Sequence, residues 1–148
     1  MLDLGTGTGV IPRNMYSYGA KWTGADISDN QILYAEKLSK NVGMDIDYIV
    51  AAAEDVDFPD RTFDVITACQ CFMYFDKSVV LPKFHHILKD NGHLAILFMA
   101  WLPEESEIAK TSEDFVLKYN PAWTGGRMTR YELQEPPCVQ ECLRLQIC

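Results

Sequence analysis

A chain of 148 residues with 48% hydrophobic content can bury one sizeable core and is short for two, so a single domain over residues 1–148 is expected. A net charge of -8, with 13 basic residues that form no run, argues against a nucleic-acid backbone as a partner, because neutralising phosphates takes clustered Lys and Arg. No window approaches the roughly 20 apolar residues that span a bilayer, and no basic segment followed by an apolar stretch opens the chain; it reads as soluble, cytoplasmic and without a membrane partner.

In chain order, Leu2–Leu4 is the end of an apolar strand, after which Gly5, Gly7 and Gly9 let the backbone turn sharply. Residues 10–18 read as a helix, with Pro12 tolerated in the first turn and Gly19 as its stop. Residues 22–26 form a short strand. Ser28 followed by Gln31 makes a capping box for a helix carrying Ile32, Leu33, Ala35 and Leu38, which Gly43 ends. Residues 46–51 are a β-branched-rich strand, and Pro59 to Thr62 a turn with proline in its favoured position.

Phe63–Cys69 is nearly continuous in apolar residues, as befits a parallel strand covered on both faces. Asp76 caps a helix that reaches about Lys89, with Val79, Val80, Phe84, Ile87 and Leu88 facing inward, Pro82 as a bend and Asn91-Gly92 as its end. Residues 94–101 form another apolar strand and residues 103–119 an acidic-started helix. Residues 120–137 read as an irregular loop, and the last eleven residues alternate as a strand. Strand and helix alternate throughout, which predicts a Rossmann-like α/β fold with a doubly wound, mostly parallel sheet.

The five cysteines are an odd number in a chain too large to need disulfide staples, so reduced thiols are expected. Cys69 and Cys71 lie in an apolar run and read as packing residues. His85, His86 and His93 lack ligand spacing, so no metal is expected.

In a βαβ unit the glycine turn stands at the carboxyl edge of the sheet, where ligands bind at the reversal of strand order. The spacing is G-x-G-x-G, and Val10 stands where the dinucleotide fingerprint places its third glycine, which argues against a nicotinamide-dependent oxidoreductase. Asp26 ends the second strand 17 residues beyond Gly9, placed to accept two hydrogen bonds from a ribose diol. Together these features point to a nucleoside ligand.

The segments "LDLGTGTG", "GADIS" and "AAAEDVDFPDRTFDVITACQCFMYFD", in that order, closely resemble the class I S-adenosylmethionine-dependent methyltransferases, in the small-molecule branch similar to the enzymes of quinone biosynthesis. The similarity runs from Met1 to about Trp101. It implies S-adenosylmethionine as cofactor, a small-molecule acceptor and the methyltransferase fold. It also implies that Gly5, Thr6, Gly7 and Gly9 approach the methionine end of the cofactor, with Asp3 orienting that loop or helping to neutralise the cofactor's ammonium. Asp26 would hold the ribose hydroxyls and Ile27 pack on the adenine face. Ala53 and Glu54 would meet the adenine through a backbone amide and an acid, and Cys69 and Gln70 would offer carbonyls to the amine. The pattern departs at Ala52, where family members often carry Asp; this weakens the adenine contact or shifts it onto Glu54 or Asp55.

Tyr74, Met99 and Trp101 follow the fourth and fifth strands and are the candidates for the acceptor pocket, while Phe72 and Phe75 read as core. No general base is identified, since His85 and His86 read as helix-surface or packing residues. Family members carry a helical lid before the first strand and further strands beyond the point where this chain stops. The fold is therefore expected to be incomplete at both ends and to self-associate as a homodimer through an exposed sheet edge. A catalytically inactive nucleoside-binding or interaction module is the competing reading.

Overall fold

A computed structural model describes residues 1–99 and 103–123. The chain divides into two compact units, Met1–Phe98 and Met99–Cys148. In the first, strands β1 (Leu2–Leu4), β2 (Thr23–Asp26), β3 (Asp47–Val50), β4 (Phe63–Cys69) and β5 (Leu88–Leu97) are connected through helices α1 (Val10–Met15) after β1, α2 (Asp29–Asn41) after β2 and α3 (Lys77–Ile87) after β4. The sheet is five-stranded, in the order β3-β2-β1-β4-β5, and every pairing is parallel. This is the doubly wound arrangement that strand–helix alternation predicts, with the order reversing between β1 and β4.

The central strand β1 is buried on both faces: Leu2 and Leu4 have no exposed surface and Asp3 is 1% exposed. Ile66 and Ala68 of β4, Val80 and Phe84 of α3, and Ile32 and Ala35 of α2 complete the core around it. Each large apolar side chain so buried stabilises the fold by about 1.5–3 kcal/mol.

Helix α1 tightens into a 3-10 turn at Tyr16–Tyr18 and stops at Gly19, whose φ of 83° is left-handed. At α2, Ser28 Oγ accepts from the Gln31 amide at 3.4 Å. The reciprocal half of a capping box is replaced, because the Ser28 amide donates to Asp26 Oδ1 at 2.9 Å. The inward face of α2 is set by Ile32, Ala35 and Ser39, while Leu33 is 62% exposed.

Two boundaries around α3 differ from the sequence reading. Asp76 caps the helix as expected, its Oδ1 accepting from the Ser78 amide at 3.0 Å. The helix ends at Ile87, where the carbonyls of His86 and Ile87 accept from the amides of Arg61 and Thr62 at 2.9 Å each. Leu88 then pairs with Phe63, and Asn91-Gly92 falls within β5 instead of closing a helix. Val65 faces His93, so β5 carries three more residues than β4 over this stretch, a bulge that accommodates the Asn-Gly pair. Val79, expected inward, is 42% exposed.

The β3–β4 crossover, residues 51–62, contains no helix. Val56 anchors it in the core at 1% exposure, and Phe58 meets Phe63 edge to face with centroids 4.9 Å apart. Its turn centres on Asp60 and Arg61, with Arg61 at φ 55°, so Pro59 precedes the turn's centre instead of occupying it.

In the second unit, α4 (Glu107–Tyr119) is capped by Ser106, whose Oγ accepts from the Ala109 amide at 3.4 Å. It begins four residues later than the acidic composition suggests, because residues 103–105 form a turn. Trp123 Nε1 donates to Glu113 Oε2 at 2.9 Å. The strand expected over the last eleven residues lies outside the described residues.

Candidate functional site

The carboxyl edge of the sheet is organised around Asp3. The register sets Asp3 beside Gly24 of β2 and Thr67 of β4, in the middle of the sheet. Thr6 Oγ1 donates to Asp3 Oδ2 and Thr67 Oγ1 to Asp3 Oδ1, both at 2.6 Å. Burial raises the Asp3 carboxyl above the usual carboxylate range; the two hydroxyl donors oppose the shift and nearby Asp26 adds to it. Both oxygens are engaged from within the fold, so what this geometry displays is the orienting of the glycine loop.

The loop itself takes left-handed φ at Gly5 (62°), Gly7 (55°) and Gly9 (74°). A side chain at Gly5 would meet Cys71 Cβ and Sγ at 2.8 Å, and one at Gly9 would collide with the Tyr48 hydroxyl. At Gly7 the space is open, the nearest atom being Gln31 Oε1 at 3.9 Å. Two of the three glycines thus answer to packing as well as to backbone conformation, and the third faces free space.

Asp26 joins the loop to the second strand. Its Oδ2 accepts from the Gly7 amide at 2.8 Å while Oδ1 accepts from Ser28. Ile27, the next residue, is 76% exposed beside it. Tyr48 of β3 supports the same loop from behind, its hydroxyl 2.9 Å from Ser39 Oγ of α2.

At the end of β4, Gln70 adopts φ 60°, uncommon for a residue with a side chain, while its amide still donates to Leu97 O at 2.9 Å. The chain therefore turns abruptly just after Cys69. Cys71 Sγ donates to Leu4 O at 3.1 Å, and burial, with Asp3, Cys69 and Asp26 adding, pushes this thiol up to about 12. A 3-10 turn, Phe72–Tyr74, follows. Phe72 is buried and meets Phe75 edge to face at 5.9 Å, whereas Tyr74 is 83% exposed.

The crossover brings the buried Ala53 and half-buried Glu54 to this edge. Glu54 Oε1 accepts from the Asp76 amide at 2.7 Å, and Lys83 Nζ donates to the carbonyls of Glu54 and Val56 at 2.5 and 2.9 Å.

Asp3, Gly5, Thr6, Gly7, Gly9 and Asp26 are thus joined by hydrogen bonds or chain continuity, with Cys69 and Gln70 on the adjoining strand end and Ala53 and Glu54 on the crossover. Met99 is 82% exposed and belongs to the second unit, while Trp101 lies outside the described residues. Sequence reasoning missed Thr67, Tyr48 and Lys83. Thr67 is a lone hydroxyl in an apolar strand, which is a readable signal; Tyr48 and Lys83 gain their roles from tertiary contacts alone.

Strand order, glycine loop and a carboxylate at the end of the second strand define the class, a parallel α/β domain with its glycine loop at the carboxyl edge of the sheet. The chain belongs to the methyltransferase domain family, which matches residues 2–96, within its class I S-adenosylmethionine-dependent, quinone-biosynthesis-like branch. It is 38% identical over 100 residues to the demethylmenaquinone methyltransferase of Thermotoga maritima, covering 66% of this chain and 42% of that protein. It is 30% identical over 152 residues to the ubiquinone/menaquinone biosynthesis C-methyltransferase UbiE of Pseudoalteromonas translucida, covering 98% of this chain and 59% of that one. Among solved structures, the PH0226 protein of Pyrococcus horikoshii OT3 superposes with a TM-score of 0.62 at 28% identity, over 66% of this chain and 47% of that one. The chain spans about half the length of these relatives.

Proposed function

We propose that the crevice binds S-adenosylmethionine and that the protein transfers its methyl group to a small-molecule acceptor. The observation that carries this reading is the Asp26 carboxylate at the end of β2, tied by the amides of Gly7 and Ser28 to the glycine loop that follows the central strand β1. A carboxylate has about four lone-pair sites, so two remain for a ribose diol. The residues present suit the cofactor: Ile27 offers an exposed apolar face beside Asp26, Ala53 and Glu54 a backbone amide and an acid, and Gly7 open space.

The sulfonium supplies the reactive methyl; the chain's own work is binding and alignment. Gly5, Thr6, Gly7 and Gly9 shape the wall for the amino-acid end, with Asp3 holding the loop and contributing negative charge beneath it. Cys69 and Gln70 turn the chain so that backbone carbonyls stand at the same edge. Tyr74, on the segment that leaves β4, is assigned to the acceptor side. No general base is assigned, because His85 and His86 are exposed on α3.

A cytoplasmic location accords with the charge of -8 and with the lack, among the described residues, of any helix long and apolar enough to cross a membrane. The β5 edge, where Ile96 and Leu97 are 42% and 44% exposed, is the surface assigned to a homodimer; concentration-dependent sedimentation supports it and a monomer throughout contradicts it.

Calorimetric titration with S-adenosylhomocysteine, followed by a methyl-release assay on quinol and other small aromatic acceptors, tests the reading. Saturable binding with turnover supports it. Binding without turnover leaves a nucleoside-binding module, and no binding overturns the site.

A further inference from the structure

Most βαβ connections pack a helix on the sheet, and the helix satisfies its own backbone. The crossover from β3 to β4 lacks one: the Ala52 carbonyl takes the amides of Asp55 and Val56 within the crossover, while the carbonyls of Glu54 and Val56 are met from outside it. Lys83 of α3 places one ammonium on both of these carbonyls. A second tie runs the other way, from the amide of Asp76, the residue that caps α3, to Glu54 Oε1. Glu54 is therefore gripped at both its carbonyl and its carboxylate by one helix, and the aromatic turn Phe72–Tyr74 leads directly into that helix.

We propose that Lys83 is a positioning residue: with the Glu54–Asp76 bond it clips the crossover to α3, so that the segment facing the nucleobase and the segment facing the acceptor move as one body. This rests on the reading above, in which Ala53 and Glu54 face adenine. Filling the nucleoside side then fixes Glu54, Glu54 fixes the N-terminus of α3, and the Tyr74 segment is set for the acceptor. A charge-assisted bond to a carbonyl is among the stronger neutral-partner contacts, and one ammonium bridging two carbonyls two residues apart rigidifies the loop between them.

The test compares S-adenosylhomocysteine with its inosine counterpart, which lacks the exocyclic amine of adenine. Lys83→Met keeps the length and helix preference of the side chain and removes the donor. The variant is expected to lose about five- to tenfold in affinity for S-adenosylhomocysteine while its affinity for the inosine ligand stays nearly constant, and Lys83→Arg is expected to restore the ratio. A purely structural role lowers both affinities alike, and an unchanged ratio overturns the proposal. Hydrogen exchange on the unsubstituted protein gives a second readout independent of any variant's folding. Amides of residues 51–58 and 76–80 are expected to gain protection together when S-adenosylhomocysteine is added, and protection confined to 51–58 contradicts the coupling. If the unsubstituted protein binds neither nucleoside, the proposed function fails and this inference with it; if it binds both with a ratio that Lys83→Met leaves alone, only the inference fails.

Discussion

Asp26 spends one carboxylate oxygen on the glycine loop and the other on the start of α2, so its side chain ties these two segments together. Replacing it by alanine removes an ionised acceptor and leaves two amides without their partner. The expected loss in S-adenosylhomocysteine affinity is about 1.5–3 kcal/mol, measured by calorimetry, and an unchanged affinity contradicts the assignment. Asp3 makes a different prediction. Its folded-state carboxyl titrates above its unfolded value, so at intermediate pH the folded chain keeps a proton that the unfolded chain has released. The stability this gives is fully present at low pH and is lost as pH rises through the folded value. The unfolding free energy of Asp3→Asn relative to the parent, from urea titrations, is therefore expected to improve from acidic to neutral pH, and a pH-independent difference contradicts this. Cys71, pushed up to about 12 and bonded to Leu4 O, is expected to resist iodoacetamide at pH 8 in the folded protein, as read by mass spectrometry of its peptide.

Among elements, helix starts are the clearest case of local chemistry deciding structure. Ser28, Asp76 and Ser106 each stand just before a helix and each accepts from an amide two or three residues on. Ser28→Ala is expected to lower unfolding stability by about 1 kcal/mol in urea titrations, while the Ser28 amide keeps its bond to Asp26; a loss within error of zero contradicts the capping role. Phe84→Ala, which empties a site 2% exposed between α3 and the sheet, is expected to cost about 3–5 kcal/mol by the same measurement.

The fold and the conformation of the glycine loop were legible for the same local reason. Glycines at left-handed turns, caps and a continuous apolar strand act through near neighbours in sequence. The join of α3 and β5 was not, because Asn91-Gly92 is a local stop signal that strand pairing with Phe63 and Val65 overrides. Nor could sequence show that a tyrosine of β3 would sit behind Gly9, or that a lysine of α3 would take up the carbonyls of a crossover that has no helix.

At the scale of the whole molecule, the parallel order β3-β2-β1-β4-β5 brings the ends of β1, β2 and β4, distant in sequence, to one edge, and the methyltransferase family match spans the same residues, 2–96. The second unit is represented, among the described residues, by α4 and its flanking turns. The central claim is that this edge grips an adenosine bearing an amino-acid tail, with Asp26 on the sugar. A crystal structure with S-adenosylhomocysteine tests it most directly. Both ribose hydroxyls are expected within hydrogen-bonding distance of the Asp26 carboxylate, with the amino-acid end beside Gly5 to Gly9; a nucleoside bound elsewhere, or an Asp26 turned away from it, would overturn the assignment.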